Sequence, residues 1–280
     1  MNMQGKICMV TGANAGIGKE TALALARMGA TVVMVARNAE RGAAALADVR
    51  HQSGNGQVTL LLADLSAQAS IRQLVTDFHA KYDRLHVLVN NAGAIFMQRQ
   101  ETVDGLEMTF ALNHLNYFLL TNLLLDTLKA SAPARIVNVS SGAHYGGQIA
   151  FDDLQLRQNY RVFAAYSMSK LANVMFTYEL ARRLAGTGVT ANCLHPGFVG
   201  SNFAKNNGLL ARLTMVLMRP FALSPEKGAE TSIYLASSAA VDGVSGKYFT
   251  RKKPQKSSSA SYDEAAAQRL WAVSAELTGL

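Results

Sequence analysis

The amino-acid sequence predicts a doubly wound α/β fold, a parallel sheet with helices on both faces, and three observations carry that expectation. Short β-branched runs alternate with helical patterns from the start of the chain, the order produced by strands joined through right-handed helical crossovers. The strand runs are continuously apolar rather than alternating, as strands covered on both faces should be. A glycine-rich turn joins the first strand directly to the first helix.

Taken in order, strands are expected at residues 7–10, 31–35, 58–62, 87–89, 136–139 and 189–194. Helices are expected at 16–28, 39–51, 66–82, 102–128 and 163–184, with Ser66 as the N-cap of the third. Ser224-Pro225-Glu226 supplies a cap, a first-turn proline and a first-turn acid for a later helix, and a last helix should run from about 263 to 277. No change of composition divides the 280 residues, so a single domain absorbs them all, with a substrate lid at 201–223 and a C-terminal extension at 251–280. Within that extension RKKPQKSSSAS, residues 251–261, is polar and lacks periodicity, and it reads as a mobile surface loop.

Composition narrows the function classes. With 49% hydrophobic and 16% charged residues and only five prolines, the chain is globular rather than disordered. Cys8 and Cys193 lie far apart in apolar stretches, which gives no disulfide framework and no metal ligand set. The N-terminus does not read as a secretory signal, and no window of about 18 residues stays apolar, so a soluble cytoplasmic protein without a membrane span is expected. The net charge of +8 is not accompanied by interleaved basic and aromatic residues, so no nucleic-acid partner is expected, and the charge would suit a phosphorylated cofactor.

Thr11-Gly12-Ala13-Asn14-Ala15-Gly16-Ile17-Gly18 follows the first strand and opens into the first helix. Glycines there permit a tight turn and a close backbone approach, so the helix N-terminus can face a pyrophosphate. After the second strand stand Ala36-Arg37-Asn38, with no acid to hold a ribose 2′-hydroxyl. Arg37 can form charge-assisted hydrogen bonds to a 2′-phosphate and Asn38 could add a neutral donor, which favours NADP(H) over NAD(H).

The T-G-x-x-x-G-x-G spacing resembles the short-chain dehydrogenase/reductase family, whose members share a Rossmann-type fold. The resemblance extends along the chain. Leu62-Ala63-Asp64-Leu65 matches the family's adenine-contacting element, although Asp64 would serve equally as a turn residue beside Ser66. Asn90-Asn91-Ala92-Gly93 matches its N-N-A-G element, with Asn90 structural and Asn91, Ala92 and Gly93 along the cofactor. Tyr166 and Lys170, at i and i+4 on one helical face, match its catalytic pair, and Ser141 in IVNVSS its catalytic serine, chosen over Ser140. Asn113 matches its helix asparagine, which would complete a water-mediated proton relay. In HPGFVGS, Pro196, Gly197, Val199 and Ser201 match the turn that meets the nicotinamide, while His195 is expected to be structural.

The resemblance implies hydride transfer between cofactor and carbonyl carbon while Tyr166 delivers a proton and Ser141 orients the oxygen. A Lys⁺ about 4 Å from Tyr166 would favour the phenolate by about 4 kcal/mol at an effective dielectric near 20, roughly a thousandfold in ionisation. Ser141 and Tyr166 stand 25 positions apart, and the extra segment at 151–163 resembles the retinol dehydrogenase branch, as do Gly18-Lys19-Glu20-Thr21 and Arg269-Leu270-Trp271. Substrate-facing parts should be 142–147, this insertion and 201–223. Arg212 and Arg219 would share one helical face in the last of these, which leaves an apolar remainder for a lipophilic substrate or a peripheral membrane contact. The family further implies a homo-oligomer, dimer or tetramer, through helices 102–128 and 163–184. The expected function is NADP(H)-dependent interconversion of a small-molecule carbonyl and alcohol. A non-catalytic NADP-binding sensor or scaffold, or a nucleotide-sugar epimerase or dehydratase, are the alternatives.

Overall fold

A computed structural model describes residues 2–199 and 223–280. Eight strands form one sheet: β1 (Ile7–Thr11), β2 (Thr31–Ala36), β3 (Val58–Leu62), β4 (Val87–Asn90), β5 (Ala134–Val139), β6 (Val189–His195), β7 (Tyr248–Thr250) and β8 (Lys253–Gln255). Their spatial order is β3-β2-β1-β4-β5-β6-β7-β8, parallel throughout except for the antiparallel β7–β8 pair. The order reverses between β1 and β4, and in such sheets the crevice beyond the strands' carboxyl ends at that point is where ligands bind.

The continuous apolar runs are explained by two cores. Met9, Val33 and Val35 face a cluster built with α3 (Gln68–His79), α5 (Asn116–Leu123) and α7 (Val162–Arg183). Their neighbours Cys8, Val10, Val32 and Met34 face the opposite cluster, with α1 (Gly16–Arg27), α2 (Ala39–Ser53) and α8 (Pro225–Ser237). Successive side chains of a strand point to opposite faces, so both parities must be apolar here.

Several expected boundaries are corrected. The third helix starts at Gln68 and not at Ser66, because Asp64 Oδ1 takes both the Ser66 N–H and its hydroxyl, and the Gln68 N–H is satisfied by Asp104 Oδ2 at 2.9 Å. The expected helix at 102–128 is divided. Glu107 caps α4 (Met108–Phe110) by accepting from the Thr109 and Phe110 N–H groups, a π-helical turn follows at Ala111–Leu115, and a break at Leu124 separates α5 from α6 (Leu125–Ala130). Asp263 caps α9 (Glu264–Thr278) as expected of a helix near 263–277.

The tract 251–261 is not a mobile loop. It forms the turn between β7 and β8, β8 itself and a 3₁₀ turn at Ser259–Tyr262, and Ser257, Ser258 and Ser261 are buried. Beyond it, α9 lies on α5 and α7. The Trp271 ring packs 4.9 Å from Phe118 and 5.7 Å from Phe176, and the Arg183 guanidinium stacks 4.1 Å above it. This part of the face expected to pair with a second copy is therefore covered by the chain's own C-terminal helix. Of the segment 201–223 expected as a lid, all but Leu223 lies outside the described residues, Arg212 and Arg219 included, and among those described no helix is long and apolar enough to cross a membrane.

Trp271→Ala should cost about 2–4 kcal/mol in urea unfolding, since it removes an aromatic plug between two helices. A change below about 0.5 kcal/mol would show that α9 adds little to the fold.

Candidate active site

At the carboxyl end of β1, Gly12 and Gly16 adopt φ of +65° and +56°, which a side chain would oppose. A Cβ on Gly12 would also stand 3.0 Å from Ala92 Cα, and one on Gly18 would lie 2.5 Å from Asn91 Nδ2 and closer still to Gly12 O. The turn after β1 and the Asn91–Gly93 segment after β4 are thus pressed together. Hydrogen bonds lock them: Thr11 Oγ1 accepts from the Asn91 and Ala92 N–H groups at 2.9 and 3.0 Å, and Asn91 Nδ2 donates to Thr11 O at 2.8 Å. The N-cap of α1 is Ala15, whose side chain offers no acceptor, and the first turn holds no acid, so no side-chain cap among the described residues competes with an anion for those N–H groups. Asn14 is half-buried at the same turn, and Ile17 and Val199 meet around Gly228 at the start of α8.

The other end of this cradle is set by β2 and β3. Arg37 is exposed just past β2 and enters no ion pair among the described residues. Asn38 caps α2 through Oδ1, which accepts from the Arg41 N–H at 2.8 Å, so only its amide nitrogen is left to donate. Asp64 closes a turn with Ser66, and its own N–H donates to Ser70 Oγ at 2.9 Å. The Leu65 side chain is buried in the core with Ile71, so a cofactor could meet only its main chain.

Ser140 and Ser141 separate cleanly. Ser140 is buried and donates to Lys170 O at 2.7 Å, which ties β5 to α7. Ser141 is hydrogen-bonded to the Tyr166 hydroxyl, and its Oγ also accepts from the Ala143 N–H at 3.2 Å. Lys170, 3% exposed, sends Nζ to Val139 O at 3.1 Å and sits 5.8 Å from the centres of both the Tyr166 and Tyr117 rings. Gly93 closes the group, since a Cβ there would meet Asn113 Oδ1 at 3.0 Å and Lys170 Nζ at 3.5 Å. Tyr166, Ser141, Lys170, Asn113 and Gly93 therefore converge at the sheet's carboxyl edge.

The electrostatics differ from the expectation of a phenolate held by Lys170. Burial pushes the Tyr166 phenol up to about 12 against the hydrogen bond from Ser141, which lowers it. Burial likewise brings the Lys170 amine down to about 7. Desolvation disfavours both charged forms and sets the direction of both shifts.

Asn113 occupies the π-helical turn and braces the segment after β4. Its Oδ1 accepts from the Ala94 N–H at 2.8 Å, its Nδ2 donates to Ala94 O at 2.9 Å and to Ser169 Oγ at 3.0 Å, and its carbonyl accepts from Asn173 Nδ2 at 2.8 Å. These bonds give it a bracing position. Gly197 has φ +90° and packs against Leu223, with Pro196 half-buried before it, while Ser201 lies outside the described residues. His195 is structural in the geometry: its Nδ1 accepts from the Gly142 N–H at 2.9 Å. Sequence reasoning passed over Thr11 and Gly228. The place of Thr11 directly ahead of the glycines was an available signal for the first; nothing local marks the second.

Comparison with known proteins supplies the context of this site. The family model for short chain dehydrogenase matches residues 6–209. Retinol dehydrogenase 12 of Mus musculus is 47% identical over 280 residues, covering 100% of this chain and 88% of its own length. Retinol dehydrogenase 13 of Homo sapiens is 45% identical, covering 99% and 85%. Among solved structures, an uncharacterized protein from Mycobacterium paratuberculosis superposes with a TM-score of 0.81 at 35% identity, over 99% of this chain and 95% of that one. The Pseudomonas aeruginosa RhlG/NADP active-site complex superposes with a TM-score of 0.71 at 29% identity, over 89% and 95%.

The burial of Lys170 is testable without assigning a reaction. Lys170→Met should raise the melting temperature of the ligand-free protein near neutral pH, because it removes a desolvated amine. The advantage should shrink from about pH 7 towards pH 10.5: there the unfolded chain keeps a proton that the native chain has lost, so wild-type stability rises with pH. A variant less stable than wild type across that range would contradict the assignment.

Proposed function

The chain belongs to the short-chain dehydrogenase family and is an NAD(P)-dependent oxidoreductase, and from that premise we propose that it interconverts a lipophilic carbonyl and its alcohol with NADP(H). The observation that carries the reading is the Tyr166–Ser141 hydrogen bond beside the buried Lys170 amine, next to a glycine-lined cradle too tight for side chains.

The residues fit the cofactor. Gly12, Gly16 and Gly18 with the first-turn N–H groups of α1 would hold the pyrophosphate, and Ala92, Gly93 and Lys170 would flank the nicotinamide riboside. Bound there, the nicotinamide supplies or accepts the hydride. Arg37 supports NADP(H), since its guanidinium is unpaired among the described residues and β2 ends without an acid. The RhlG/NADP complex is a relative with this cofactor.

In the reducing direction Tyr166, protonated at neutral pH because burial has raised it to about 12, gives its proton to the carbonyl oxygen. Ser141 donates to the same oxygen and lowers the cost of charge building there. Lys170, poised at about 7, returns a proton towards Tyr166, and Asn113 keeps the segment after β4 in place. Oxidation of the alcohol runs through the same groups in reverse.

A lipophilic substrate is supported by the exposed apolar side chains in segments beyond the strands' carboxyl ends: Met97 after β4, Tyr145 after β5, Phe198 after β6, and Phe163 in the first turn of α7. The relatives named retinol dehydrogenases accord with this class. A cytoplasmic setting completes the proposal, supported by two buried, unpaired cysteines.

The test is NADPH-linked reduction of medium-chain and aromatic aldehydes. Tyr166→Phe should lower kcat by about a hundredfold or more while NADPH binding persists. Arg37→Asp should weaken NADPH binding about tenfold or more and leave NADH binding equal or better. Wild type binding both cofactors equally would remove the 2′-phosphate assignment, and full turnover by Tyr166→Phe would remove the proton-transfer assignment.

A further inference from the structure

The Ser141–Gly142 peptide is gripped on both of its polar atoms by imidazoles. His195 Nδ1 accepts from the Gly142 N–H at 2.9 Å, and His144 Nδ1 lies 2.7 Å from Ser141 O. A carbonyl only accepts, so the His144 proton is on Nδ1 and Nε2 is an acceptor. That acceptor is filled from a distant part of the sequence: the Ser258 N–H donates to it at 3.1 Å. His144 is fully buried, packed at a tilt between Tyr145 at 4.1 Å and Tyr248 at 4.7 Å, so the ring has no solvent to turn into.

The donor is itself held rigidly. Ser257 Oγ is 2.7 Å from both Tyr178 Oη on α7 and Ser261 Oγ, Ser261 Oγ donates to Ser258 O at 2.6 Å, and the Ser257 N–H donates to Tyr262 Oη at 3.1 Å. Tyr145 Oη closes the ring of contacts by donating to Lys256 O at 2.6 Å. Ser258 Oγ is buried with no partner among the described residues, so what this position supplies is its N–H and not its hydroxyl.

We propose that the serine tract 257–261 of the C-terminal extension is a positioning element of the active site, fixing His144 so that His144 and His195 together set the Ser141 hydroxyl against Tyr166. The proposal rests on the carbonyl–alcohol reading in taking Ser141 as the substrate-facing hydroxyl. It gives the polar extension, more than a hundred residues from Ser141 in sequence, a role in the rate without any contact to substrate or cofactor.

Two variants open the link at its two ends. Ser258 has φ −61°, a value proline adopts, so Ser258→Pro deletes the N–H while the backbone angle is kept. His144→Phe keeps a ring packed between the two tyrosines and deletes both hydrogen bonds, and His144→Gln returns one donor and one acceptor. Each of the first two variants should lower kcat for aldehyde reduction roughly ten- to hundredfold with the NADPH dissociation constant within about twofold, since a misplaced hydroxyl costs rate and not cofactor affinity. The double variant should be no slower than the slower single one, His144→Gln should recover part of the loss, and amide exchange at residues 141–147 should accelerate in Ser258→Pro. Wild-type kcat and wild-type exchange in Ser258→Pro, or losses that multiply in the double variant, would overturn the proposal. If wild type reduces no carbonyl, the functional reading falls and the exchange measurement alone decides the positioning link: acceleration at 141–147 upholds it, and unchanged exchange overturns it.

Discussion

A primary amine held almost out of water is the constraint around which the site is arranged. Lys170 is 3% exposed, and its ammonium form is disfavoured by burial to the point that half of it is neutral at about pH 7. Keeping it there takes a helix buried along most of its length. In α7 the run from Ser167 to Leu180 is buried without a break, Ser140 grips the Lys170 carbonyl, and Val139 O accepts the amine. The same helix presents Tyr166 one turn earlier, so the desolvation that lowers the amine also raises the phenol. Near neutral pH the Tyr166 phenol therefore keeps its proton while about half of Lys170 carries its charge, so burial works against both ions of the pair.

Most of the fold was legible because its strands are apolar on both faces. β1 to β6 appear within two residues of their expected bounds, since their side chains must fill two cores and leave an unmistakable run. β7 and β8 were not legible: three residues each, the latter fully exposed, carry no periodicity. The tract 251–261 was misread for a related reason. Its composition is that of a solvated loop, but Ser257 is bonded to Ser261, to Tyr178 of α7 and to the adjoining Tyr262, and such reciprocal bonding has no local signature. The division of the helix expected at 102–128 turns on Glu107, whose carboxylate caps the next turn from a buried position.

The candidate site was legible in identity more than in physics. The order of Gly12, Asn91, Ser141, Tyr166 and Lys170 along the chain is enough to bring them to one edge of a parallel sheet, because each follows a strand or opens the helix after one. The sign of the electrostatics was not, for the expectation treated Lys170 as a fixed positive charge, whereas its depth in the protein makes that charge conditional. Nor could the two imidazoles on the Ser141–Gly142 peptide be read, since His144 and His195 acquire their roles only when β6 and the C-terminal extension come beside β5. The covered face of α5 and α7 was equally a matter of tertiary placement, with Trp271 filling a position that the helices' own sequences leave apolar.

The state of the buried amine is the central claim, and it can be observed directly. Lys170 should be assigned in the ligand-free protein by comparing side-chain NMR spectra of wild type and Lys170→Met, and its ammonium titrated by the shift of the adjacent carbon. A midpoint close to about 7 is the predicted result. A midpoint at the ordinary lysine value of 10.5 would contradict the account, for the amine would then be a permanent cation and Tyr166 would sit beside a fixed charge.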